Sequence, residues 1–145
     1  MPKPENFLTP AQEAEIVEAI RLAEHETSGE IRVHIENTAS GDAFNRAREV
    51  FHFLKMDETE LKNGVLIYVA VDDHHFVICG DKGIDDVVAK DFWVSTKEIM
   101  AAQFKTGNFK QGLIDGIAKA GEELRRYFPC TPGDKNELPN EISNG

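Results

Sequence analysis

The sequence predicts an α/β fold, a three-layer α/β/α sandwich with a small mixed central sheet. Three observations carry that prediction. GEIRVHIE (residues 29–36) alternates apolar and polar side chains in the period of a strand, and GVLIYVAV (64–71) is a continuous β-rich apolar run suited to a strand covered on both faces. A helical stripe lies between them, so the connection over residues 36–64 is read as a crossover, which would make the two strands parallel. The short polar link DDHH (72–75) then returns the chain through FVIC (76–79) as an antiparallel neighbour.

The elements follow in order. Thr9-Pro10-Ala11-Gln12 is a helix start: Thr9 caps, Pro10 suits the first helical position and Gln12 reaches back. Ile16, Val17, Ile20 and Ala23 recur at helical spacing, and HETSG ends the helix. In the first strand Ile31, Val33 and Ile35 face the core, while His34 is expected at the surface. Ala43, Ala47, Val50, Phe51 and Leu54 predict the crossover helix. After the hairpin, Asp91 is expected to cap a helix carrying Phe92, Trp93, Ile99, Met100 and Phe104, and a longer one uses Phe109, Leu113, Ile117, Leu124 and Phe128. Gly112, Gly116 and Gly121 each cost that helix roughly 1 kcal/mol against alanine, which close packing against sheet or helix would offset.

The chain of 145 residues has the size of one ordinary domain, predicted over residues 1–130, with residues 131–145 a polar C-terminal tail lacking apolar periodicity. With 16 Lys and Arg against 26 Asp and Glu, the net charge of −10 repels nucleic-acid phosphates and anionic membranes and suits cations or basic partners. No apolar run reaches the ~18 residues of a membrane span, and the start has no signal-like apolar region, so neither membrane insertion nor a nucleic-acid partner is expected and the location expected is cytoplasmic. Cys79 and Cys130 are read as free thiols.

The topology also brings chemistry together. If the first two strands are parallel and the third returns, GDKGIDD (80–86) ends beside Ser28-Gly29-Glu30 and Lys62-Asn63. Glu30 would then meet Asp81, Asp85 and Asp86, whose mutual repulsion a hard divalent cation would relieve. The alternative is structural: Asp81 closes a turn on its own backbone while Asp85 and Asp86 sit favourably at a helix N-terminus. D-x-x-x-D-D does not have the ligand order of an EF-hand. Asp72, Asp73, His74 and His75 are ligand types too, but hairpin tips are polar in any case.

TSGEIRVHIE, NGVLIYVAV and GDKGI, followed by DFW and a helix ending in YFP, resemble the TPM domain family, which includes thylakoid-lumen, photosystem II repair and acetylcholine-receptor-related members. The resemblance covers almost the whole chain and points to a small stand-alone bacterial branch, which also has tails like NELPNEIS. It implies an αβα sandwich with divalent-metal sites in loops at the sheet edge, and some plant lumenal members have been assigned acid phosphatase activity. The family's Gly-Glu, Asn-Gly and glycine-hydrophobe pairs fall on Gly29-Glu30, Asn63-Gly64 and Gly83-Ile84. Asp81-Lys82-Gly83 stands where many members have a Gly-Tyr-Gly-like turn, and the signal sequence and anchor common elsewhere in the family are not found.

The resemblance favours the cation reading, with Glu30, Asp81, Asp85 and Asp86 as metal ligands and calcium favoured, or magnesium, because the donors are hard oxygens. The function expected is a divalent-metal-binding, metal-responsive binding or regulatory module whose protein partner is unidentified. The alternative is a metal-dependent acid phosphatase acting on phosphomonoesters. For that activity the sequence offers no Gly-rich phosphate loop, and Asp72-Asp73-His74 lacks Asp-x-Asp spacing, so a metal would have to polarise phosphate and activate water.

Overall fold

The computed structural model describes residues 8–59, 61–129 and 142–144. Helix α1 (Pro10–Glu24) opens with the predicted reciprocal cap: Gln12 N–H donates to Thr9 Oγ1 at 3.1 Å and Thr9 N–H to Gln12 Oε1 at 2.9 Å. It buries Ile16, Ile20 and Ala23. Strand β1 (Glu30–Glu36) pairs parallel with β2 (Gly64–Ala70), from Glu30 opposite Gly64 to Glu36 opposite Ala70. The crossover carries α2 (Ala43–Phe53), capped by Asp42, whose Oδ2 accepts from Asn45 N–H at 3.0 Å, and a 3-10 turn at Met56–Glu58.

The hairpin is present as predicted. β3 (His75–Gly80) runs antiparallel to β2, and Asp73 at the tip ties it back to the loop after β1, accepting from Thr38 Oγ1 at 2.8 Å and Ala39 N–H at 2.8 Å. That gives Asp73 a structural role at the hairpin tip. After the short α3 (Lys82–Asp85) come α4 (Val94–Lys105) and α5 (Phe109–Arg125). A fourth strand, β4 (Ser143–Asn144), pairs parallel with β1, giving the sheet order β3-β2-β1-β4.

The three layers are built by strand alternation. Ile31, Val33, Ile35, Val65, Ile67, Val69 and Ile78 point to one face and pack with α1, α4 and α5. Leu66, Tyr68, Ala70, Val77 and Cys79 point to the other and meet Ala47, Val50 and Phe51 of α2. All seven residues of β2 are buried, as a strand covered on both faces requires. The α5 glycines allow helices to approach closely: a Cβ at Gly116 would lie 2.5 Å from Met100 of α4, and one at Gly121 would lie 2.9 Å from the Ala23 Cβ of α1.

Three sequence readings change here. His34 is 4 % exposed rather than a surface residue, because it shares the α2-side face of the sheet with Glu36 and Tyr68. Helix α4 begins at Val94 rather than at Asp91, whose carbonyl accepts from Val94 N–H at 3.0 Å; Phe92 instead packs edge-on against Trp93 and Tyr127. Part of the expected tail belongs to the sheet: Ser143 and Asn144 form β4, and Ile142 packs against the larger core. Cys130 and the remainder of the tail lie outside the described residues.

Candidate functional site

The end of the sheet where β1 and β2 begin and β3 finishes has the predicted composition. Glu30 N–H donates to the Asn63 carbonyl at 3.3 Å, and Asp81 N–H to the Gly64 carbonyl at 2.9 Å. With Glu30 opposite Gly64 and Val65 opposite Gly80, the register sets Glu30, Gly64 and Asp81 on one rung. Gly64 lies between the two acids on that rung. Glu30 and Asp81 are both buried, 3 % and 9 % exposed.

Asp81 carries out the structural role and leaves something over. Its Oδ1 accepts from Lys82 N–H at 2.7 Å, the N-cap contact of α3. Its Oδ2 is buried and has no hydrogen-bond partner. A carboxylate oxygen in that condition is costly, since desolvation is offset only where a proton or cation meets it. Asp85 has its pKa raised, first by burial and then by the charges of Asp86 and Asp81, with Arg48 opposing.

These acids line a cleft of about 590 Å³ between α2 and the β3–α3 corner. Asp57, Asp81, Asp85 and Asp86 supply its negative side; Arg48 and Lys82 its positive side; His52, Phe44 and Trp93 part of the remaining wall. Arg48 lies 5.9 Å from the centre of the Phe44 ring, and His52 Nδ1 is hydrogen-bonded to Asp57 Oδ2 at 2.9 Å. Sequence reasoning missed Asp57, Arg48 and His52. Arg48 and His52 read as the polar face of an amphipathic helix and Asp57 as part of the turn after it, and only the docking of α2 over β3 turns this end toward Asp81 and Asp85.

The predicted ligands divide. Asp81, Asp85 and Asp86 share the cleft, whereas Glu30 acts electrostatically on Glu24 of α1. Burial pushes the Glu24 carboxyl up to about 7; the Ile31 N–H, donating to its Oε2 at 3.2 Å, works against burial, and the Glu30 charge adds to it. Glu24 was not foreseen, because it ends the polar face of α1. Among the described residues no three His, Cys, Asp or Glu side chains stand in a ready ligand arrangement.

A second buried polar cluster lies toward the other end of β1. Arg46 of α2 makes a two-pronged pair with Glu36, Nε to Oε2 at 2.8 Å and Nη2 to Oε1 at 3.0 Å, and the Tyr68 hydroxyl donates to Oε2. His34 Nε2 is hydrogen-bonded to Glu36 Oε1 at 3.0 Å, and its Nδ1 to Ser143 Oγ at 2.9 Å. Burial alone would raise the Glu36 pKa; the hydrogen bonds from Arg46, Tyr68 and His34 overcome it and hold the group at about 2. Burial also lowers the pKa of His34, favouring the neutral ring, with Glu36 opposing.

A TPM domain profile matches residues 2–123. The chain belongs to the TPM domain family. Among solved structures, this TPM domain is similar to the BA42 protein of the psychrophilic bacterium Bizionia argentinensis, determined by NMR, with 62 % identity, 99 % of each chain covered and a TM-score of 0.92. It also shares its fold with the N-terminal domain of a P. gingivalis protein at 17 % identity and a TM-score of 0.68, over 84 % of this chain and 79 % of that one. No curated protein matches it. Among the described residues of the TPM domain, no helix is long and apolar enough to cross a membrane.

Proposed function

We propose that this TPM domain is a divalent-cation-binding module whose cleft at the acidic end of the sheet takes calcium, or magnesium, and changes its rigidity and charge when it does. The observation that carries the reading is the buried Asp81 Oδ2 without a partner, in a cleft that also holds Asp85 and Asp86. Three carboxylates and nearby backbone carbonyls are hard oxygen donors, which fit calcium or magnesium better than zinc. Glu30, on the same rung as Asp81 but outside the residues that line the cleft, is the fourth oxygen donor this reading would use. The cation would neutralise part of the charge that raises the Asp85 pKa, so binding should release protons and strengthen as pH rises.

The deciding experiment is calorimetric titration of calcium and of magnesium into chelator-treated protein, for the wild type and Asp81→Asn. Saturable binding that falls at least about tenfold in the variant supports the reading; equal heats in both proteins remove Asp81 from it.

A second reading rests on the opposite wall. Arg48, Lys82 and His52 share the cleft with the acids, so a phosphomonoester bridged by the cation would find positive charge for its free oxygens. In that case the protein is a metal-dependent phosphatase, and hydrolysis of a generic phosphomonoester should stop with chelator and fall sharply in Asp81→Asn. Activity indifferent to both would come from elsewhere.

A further inference from the structure

The end of the chain bears on a different face of the molecule. β4 holds β1 through two residue pairs, His34 with Ser143 and Ile35 with Asn144. Among the described residues, side chains add to that backbone pairing. Ile142 packs against the larger core, while Ser143 Oγ meets His34 Nδ1 at 2.9 Å. His34 is fixed in turn by Glu36, which Arg46 and Tyr68 hold from the other side. The seat for the segment is therefore built from groups that do not belong to it: a backbone edge, an apolar contact and an oriented imidazole nitrogen.

We propose that the β1 edge is a strand-docking site for an extended partner segment, occupied in cis by the chain's own Ile142–Asn144. An exposed strand edge is a template for pairing, and adding a strand gives affinity from the backbone and selectivity from alternate side chains. The own segment defines the chemistry of the ligand: an aliphatic residue reaching the core, then a hydroxyl residue opposite His34, then an amide, running parallel to β1. The cis segment makes the site autoinhibited, because a tethered strand competes at an effective concentration on the order of millimolar. A partner with a longer matching strand displaces it.

The test uses full-length protein with Ser143→Pro, which removes both the hydroxyl and a backbone N–H, and the synthetic peptide NELPNEISNG, residues 136–145. In the variant, the Ile35 amide, which faces β4, should exchange at least about tenfold faster than in the wild type, while the His34 amide, which faces β2, and the rest of β1 and β2 stay protected. The peptide should bind the variant, shifting the β1 amides and the His34 ring, and bind the wild type at least about tenfold more weakly. A peptide with lysine in place of the isoleucine should bind neither. Ile142→Asp, which keeps the serine and removes the apolar contact, should behave as Ser143→Pro does. Equal peptide affinity in wild type and variants, no binding to either variant, or unchanged protection of the Ile35 amide would each overturn the proposal.

Discussion

Gly83 has no room for a side chain: a Cβ there would lie 2.4 Å from the carbonyl oxygens of both Leu61 and Lys62. Both obstacles are backbone, so Gly83→Ala must push α3 away from the loop before β2 and should cost about 1–3 kcal/mol in urea unfolding. Faster amide exchange at Asp81–Asp85 should accompany the loss. Glu24 gives a residue-level signature of the opposite kind, readable in pH. Its folded pKa of about 7 lies above the ordinary carboxylate value, so the native state binds the extra proton and this group's contribution is full at low pH. As pH rises through about 5 to 7 that contribution is lost. Glu24→Gln should flatten this part of the stability profile, checked by urea midpoints across the range.

At the scale of elements, a buried carboxylate adds to the apolar packing that seats α2 on the sheet. Glu36 binds Arg46 of α2 from one side and His34 and Tyr68 of the sheet from the other. Replacing Arg46 with methionine would leave much of that charge uncompensated in a buried place, and a loss of about 3 kcal/mol is expected by chemical denaturation. Because the Glu36 pKa is depressed to about 2, its stabilisation is present above the ordinary carboxylate range and is lost as pH falls through that range toward 2. Arg46→Met should therefore unfold at a higher pH than the wild type on acid titration. The helices were legible as helices from their apolar spacing, and Thr9 and Gln12 announced a cap that forms as read. The polar face of α2 was not legible as part of a site. Arg48 and His52 gain that role from the way α2 crosses β3, which depends on Ala47, Val50 and Phe51 finding their places on the sheet.

At the scale of the whole molecule, a cation bound only by the folded cleft stabilises by mass action. At about 100 times the dissociation constant the gain is roughly 2.7 kcal/mol, which for a chain of this size raises the melting temperature by about 8 °C. Thermal melts in calcium and in chelator should show that difference for the wild type and lose most of it for Asp81→Asn. The metal-free variant should remain folded and melt no lower than the metal-free wild type, because removing one charge relieves Asp85 and Asp86. Equal calcium shifts in both proteins would return Asp81 to its role as the cap of α3.

What the sequence by itself determined is everything carried by local periodicity and connection length. The parallel pairing of Ile31–Ile35 with Val65–Val69 follows from two apolar strands joined by a helical crossover, and the turn at Asp72–His74 from a link too short for anything but a hairpin. Those two facts place Asp81 beside Gly64 and Glu30, so the acidic end of the sheet was already implied. Tertiary structure decided which polar groups are buried and with whom. His34 alternates as a solvent-facing strand residue would, yet α2 covers that face and Ser143 closes its edge. Ser143 and Asn144 carry no pattern that marks a strand; they become one because β1 has an open edge and Ile142 has an apolar place to go. Burial, and the partners that burial demands, arise from elements far apart in the chain, and no window of sequence contains them.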